Sequence, residues 1–148
     1  MKNSIFPLFV VLFAIILFFS CKKVNDAPAN SSVSNAMSVR INTTNWTAAT
    51  FSSDTTGDDV SITGTGSDGS ILKLMIPKPI SAGSTYAIGN NGHATSVVYW
   101  SSTKTDTSVT GSIAVSSYAD NIVKGTFYCN LNISNSEMTQ GSFIAKLK

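Results

Sequence analysis

From about Met37 onward, apolar and polar residues alternate at a period of two, the pattern of a half-buried strand. Leu72, Leu74 and Ile76 share one face, with Ile71, Lys73 and Met75 opposite. Val123, Gly125, Phe127, Cys129, Leu131 and Ile133 fall on one side of a longer run, with Lys124, Thr126, Tyr128, Asn130 and Asn132 on the other. The pattern predicts strands near Met37–Ile41, Trp46–Phe51, Val60–Thr63, Ile71–Ile76, Thr85–Ile88, Ser96–Ser101, Ser112–Tyr118, Ile122–Ile133 and Glu137–Leu147. Breaks rich in Gly, Ser, Asn and Asp separate them, among them Asp54–Asp59, Gly64–Gly69, Pro77–Gly83, Thr103–Ser108 and Ala119–Asn121. No helical period persists. Short strands at this spacing predict an all-β fold, a single antiparallel β-sandwich or partly closed barrel of about eight or nine strands.

The N-terminal segment follows a different rule. Ile5 to Phe19 is continuously apolar behind Lys2, too short for a spanning helix, and suits the core of a signal peptide. It ends in Phe18-Phe19-Ser20-Cys21, with Lys22-Lys23 next. A small residue before a cysteine at that place resembles the bacterial lipobox. The resemblance implies cleavage before Cys21 and acylation of its thiol and its new amino group, a firm membrane anchor. Residues 22–35 are polar and small, a flexible tether. The expected organisation is a signal peptide over 1–20, the lipidated cysteine and tether over 21–36, and one β domain over 37–148.

Composition narrows the function classes. The 148 residues carry 12% charged side chains and a net charge of +2, without a basic cluster, so no nucleic-acid partner is expected. One histidine and two cysteines leave little for a metal cluster or disulfide framework. With Cys21 acylated, Cys129 has no partner and reads as a small buried hydrophobe. Three Gly-hydroxyl-apolar steps, Gly111-Ser112-Ile113, Gly125-Thr126-Phe127 and Gly141-Ser142-Phe143, form an internal echo that reads as packing rather than function.

The layout resembles a family of small Bacteroidota lipoproteins carrying a β-rich domain of unknown function. The matching features are the lipobox, the tether, an opening strand running into Asn45-Trp46-Thr47-Ala48, an Ile76-Pro77 strand end, Gly83-Ser84-Thr85-Tyr86 and the glycine steps. Where that family shows Asn-Gly before the Trp, this chain has Asn42-Thr43-Thr44-Asn45. The resemblance implies an antiparallel β domain in the cell envelope, most naturally at the outer membrane, and brings no catalytic residue.

The candidate sites follow from residue chemistry. Tyr99 and Trp100 are adjacent, so on a strand they face opposite ways; an outward ring there is a candidate for stacking a sugar or peptide. Asp54, Asp58 and Asp59, with Asp68 in the next turn, are a weak calcium candidate and more simply turn formers. Asp54-Thr55-Thr56 is similar to the Bacteroidota O-glycosylation motif, making Thr55 a candidate acceptor. His93 lies in a Gly/Asn loop with no Ser, Cys or Asp motif framing it, and Glu137 is the lone glutamate, so no catalytic residue is assigned. The expectation is a monomeric, lipid-anchored, non-catalytic module needing no cofactor. It would bind a surface glycan or protein, or alternatively face the periplasm and dock on another envelope protein, with a hydrolase as the minor alternative.

Overall fold

The computed structural model describes residues 33–89 and 95–148. The expected signal peptide, Cys21, most of the tether and His93 lie outside the described residues. Nine strands follow among those described: β1 (Ala36–Ile41), β2 (Thr44–Asp54), β3 (Asp59–Gly66), β4 (Ile71–Pro77), β5 (Thr85–Ile88), β6 (Ser96–Trp100), β7 (Thr105–Ala119), β8 (Ile122–Leu131) and β9 (Glu137–Lys146).

Every pairing is antiparallel, and all but β5 join neighbours in sequence order around a ring. β9 then returns to β1, with Met37 opposite Phe143 and Ile41 opposite Met138. The result is an eight-stranded up-and-down barrel. β5 stands outside the ring on β7, where Tyr86 faces Ile113. The all-β antiparallel expectation therefore holds, and of its two forms the closed barrel is the one adopted. Closure matters because a ring has no long free edge for another chain to pair with.

The turns sort into two ends. One end, here the rim, carries residues 42–43, 67–70, 101–104 and 132–136; the other, the base, carries 55–58, 78–84 and 120–121 and receives the chain from the N-terminal side. Asn35 bonds there to the backbone of Lys146.

The inward positions are those that alternation marks, except Ile133, which falls beyond the end of β8 on the turn and is exposed. Val60, Ile62, Leu72, Leu74, Ile76, Val123, Phe127, Cys129 and Leu131 are buried, joined by Trp46, Met138 and Phe143. Each such aliphatic or aromatic side chain contributes about 1.5–3 kcal/mol by leaving water. A barrel of eight strands is just wide enough to be filled by its own side chains, and this one is filled.

The glycine echo takes its meaning from the register. Gly125 lies opposite Phe143, and Phe127 lies opposite Gly141, so each ring covers the glycine of the neighbouring strand. A Cβ on Gly125 would sit 2.6 Å from Phe143 Cζ, and one on Gly141 would sit 2.7 Å from Phe127 Cδ1. The third copy differs: Gly111 has φ +138°, and a Cβ there would strike the Tyr128 carbonyl.

Two breaks in the sequence pattern are strand for several residues. β3 runs on through Gly66, into the break at Gly64–Gly69. Thr103–Ser108 reads as a loop, yet β7 begins at Thr105 and pairs with β6 through Thr107. The polar Asp106 is what disguises the strand, because it points inward and is buried.

Replacing Gly125 by Ala should cost roughly 1–3 kcal/mol in urea unfolding, since a displaced Phe143 and the Ala114 carbonyl meet the added methyl. Thr126→Ala, on the exposed face next door, should stay within about 0.5 kcal/mol. Equal stability of Gly125→Ala and the parent would contradict the reciprocal packing.

Candidate binding site at the barrel rim

β6 splits its two aromatics between the barrel's two faces. Tyr99 follows Val97 inward, opposite Leu72, and packs half-buried on the top of the core. Trp100 points outward, directly opposite Ile71, which in turn lies opposite Thr65. Lys73 and Thr63 are the corresponding pair two residues further along the same outer wall. The half-buried Trp100 thus lines an open groove of about 390 Å³ with Ile71, Lys73, Thr63, Asp68 and Ser101.

The rim turn beside this groove is fastened to the core. The buried Trp46 donates its indole N–H to Ser70 Oγ at 2.7 Å. Ser70 donates its hydroxyl to Asp68 Oδ1, and its backbone N–H reaches the same oxygen at 3.0 Å. The Ser70 hydroxyl, and then its N–H, hold the Asp68 carboxyl below its ordinary value. Gly66 makes room for this relay: a Cβ there would lie 2.7 Å from both the Trp46 nitrogen and Asp68 Oδ1. Trp46 is therefore both a core residue and the post on which Asp68 is mounted.

Around the rim from the groove lie two further depressions. One, of about 390 Å³, is lined by Ile41, Thr43, Asn45, Trp46, Asp68 and Tyr99. A smaller one of about 120 Å³ lies among Ile41, Tyr99, Ser101, Lys104, Asp106 and Ser134. Asp106 closes its floor. Its carboxylate accepts the backbone N–H of Ile133 at 2.8 Å and of Ser134 at 2.7 Å, pinning the β8–β9 turn. Burial alone would raise this carboxyl, but the bonds from Ser134, Ile133 and Thr107 outweigh it and hold it below its ordinary value.

The other candidates are placed differently. Among the described residues no group of three or more His, Cys, Asp or Glu side chains comes together to hold a metal. Asp54, Asp58 and Asp59 therefore do not converge. Asp54 instead accepts the backbone N–H of Thr56 and then its hydroxyl, both at 2.8 Å, which lowers its titration and makes a turn. The loop carbonyls of Thr55 and Gly57 already accept Lys78 Nζ.

The Thr55 hydroxyl is half-buried and donates to the Lys148 carbonyl at 2.6 Å; its neighbour Thr56 is the exposed hydroxyl. A cavity of about 530 Å³ at the base is lined by Thr55, Val60, Lys78, Ile80, Tyr118 and Leu147; there Lys78 Nζ donates to the Thr55 carbonyl and the Thr55 hydroxyl donates to the Lys148 carbonyl. Cys129 is buried, and burial together with the charge of Asp106 pushes its thiol up to about 12, so it is inert at neutral pH.

No protein-family model, curated protein or solved structure matches this chain. The site must therefore be argued from its own chemistry. Sequence reasoning found both aromatics but missed Lys73, Ser70 and Asp106, and took Asp68 as a turn former or a weak calcium candidate. The Asp-Gly-Ser spacing was a readable signal for the turn; the partner of Ser70 lies 24 residues away and was not.

Asp106→Asn should destabilise the protein by about 1–3 kcal/mol at pH 7, because a buried charged acceptor of two turn N–H groups is lost. The folded carboxyl titrates low, so its contribution is present above the unfolded value and fades as pH falls through the folded one. The gap between the variant and the parent in urea unfolding should thus narrow below about pH 4. No gap at pH 7, or one that does not change down to pH 3, would contradict the clamp.

Proposed function

We propose that the chain is a lipid-anchored envelope lipoprotein whose β domain is a non-catalytic binding module for neutral glycans. The observation that carries the reading is Trp100, outward on β6, with Asp68 and Lys73 in the same groove. An indole plane offers a stacking face to the C–H surface of a sugar ring. The fixed carboxylate accepts sugar hydroxyls, and the lysine, Thr63 and Ser101 add donors and acceptors at the margin. One anionic and one cationic side chain cancel, which suits an uncharged sugar better than an acidic one.

The packed interior supports the same reading, since side chains occupy the space in which a barrel of this size could otherwise hold a small ligand. The anchor rests on Ser20-Cys21 at the end of the apolar run Ile5 to Phe19.

Docking on another envelope protein is the second reading. It draws on Tyr128, 59% exposed, and Ile133, 66% exposed and presented on the turn that Asp106 pins. The closed ring leaves that reading without a long strand edge, since β5 spans only Thr85–Ile88.

Fractionating cells that produce the full chain tests both parts. Membranes should retain a neutral polysaccharide from a panel of starch, xylan, mannan and soluble chitin. Trp100→Ala should weaken that retention at least tenfold, about 1.4 kcal/mol, and Cys21→Ser should move the protein to the soluble fraction. Unaltered binding by Trp100→Ala, or no binding by the parent, contradicts the glycan site. A Cys21→Ser chain still in the membrane pellet contradicts the anchor.

A further inference from the structure

The groove of Trp100 does not end at the outer wall. Asp68 lines both that groove and the depression of Tyr99 at the rim. Ser101 lines both the groove and the small pocket on the other side of Tyr99. Ile41 and Tyr99 are common to the two rim depressions. Consecutive residues of one strand therefore place two aromatic rings on opposite sides of the barrel wall, and the wall ends at the rim between them.

The polar groups along this path are of two kinds. Some are committed to the fold: Asn42 bonds Ser136 Oγ and the Glu137 N–H, and both Asp106 oxygens hold the β8–β9 turn. Others have no side-chain hydrogen-bond partner among the described residues: Lys73, Asn45 and Thr43. The committed set makes the rim stiff, and the uncommitted set can turn to a ligand around Asp68, whose Oδ1 is held by Ser70. A rigid aromatic at each end and a fixed carboxylate between them match a chain of sugar rings better than a single one.

Resting on the glycan reading, we infer that the ligand is an oligosaccharide of at least two units that crosses the rim. One ring stacks on Trp100, the link passes Asp68 and Ser101, and a second ring covers Tyr99. The groove carries Lys73 on the outer wall, and the small rim pocket carries Lys104. The ammonium groups serve as hydroxyl-binding donors at the two ends of the path.

The test uses the purified protein, titrated by tryptophan fluorescence with one- to six-unit malto-, xylo-, manno- and chito-oligosaccharides. Trp100 lines the groove and Trp46, 8% exposed and bonded to Ser70, lines the Tyr99 depression, so the signal reports on both ends of the path. Affinity should rise at least tenfold between one unit and two or three, then level off. Tyr99→Leu should erase that gain while leaving single-unit binding intact, and Tyr99→Phe, which keeps the ring, should retain it. Thermal unfolding of both variants separates a lost contact from a lost fold.

Single-unit binding with no gain on lengthening overturns the two-ring site and leaves the Trp100 reading standing. A gain that survives Tyr99→Leu in a folded protein overturns it likewise. Binding of nothing in the series, at any length, overturns the glycan reading itself.

Discussion

An eight-stranded ring has room for little more than the side chains its strands turn inward, and everything else in this molecule follows from how that space is filled. Phe127 and Phe143 are too large to face other large residues across β8 and β9. Each therefore lies against a glycine of the opposite strand, Gly141 and Gly125. Native packing density leaves no slack for a methyl at either glycine. The same filling brings β9 against β1, where Phe143 pairs with Met37, and so closes the ring. A closed, solid barrel can meet a partner only on its outer wall or at its ends. The two ends differ: at the base, Lys78 and the hydroxyls of Ser53 and Thr55 are bonded to nearby backbone carbonyls, whereas the rim carries aromatic rings and a carboxylate with one oxygen held.

What joins the interior to the rim is the line from Trp46 through Ser70 to Asp68. A buried indole N–H needs an acceptor, because leaving it unpaired costs roughly 1–3 kcal/mol. Ser70 supplies that acceptor and in turn donates its own hydroxyl hydrogen bond to Asp68. The stability of the core therefore fixes the position of a surface carboxylate. Asp106 does the same for the β8–β9 turn on the other side of Tyr99. A surface built this way would lose little entropy on meeting a ligand, since its polar groups are positioned beforehand.

Alternation alone was enough to place β3, β4, β8 and β9, because each has one buried and one wetter face. It also put Tyr99 and Trp100 on opposite sides, and it assigned Cys129 to the interior. β7 was read short because Asp106 and its threonine neighbours look like a turn; the N–H groups that satisfy Asp106 come from 27 and 28 residues further on. Ring closure was beyond the pattern for a related reason: Ala36 meets Ile144 across nearly the whole described chain. The glycine echo could be seen but not interpreted, since only the register shows that two of its copies face each other. Thr55 looked like a free hydroxyl because its acceptor, Lys148, is distant in sequence. Local chemistry was legible; its long-range partners were not.

The most direct check on this account is hydrogen exchange at the two indole nitrogens, followed by NMR on the uniformly labelled protein. Trp46 Nε1–H, buried and bonded to Ser70, should exchange only with global unfolding, and Ser70→Ala should speed it by a large factor. Trp100 Nε1–H, on the outer wall, should exchange near the rate of a free indole. Comparable fast exchange at both sites would contradict a core that reaches out to hold the rim.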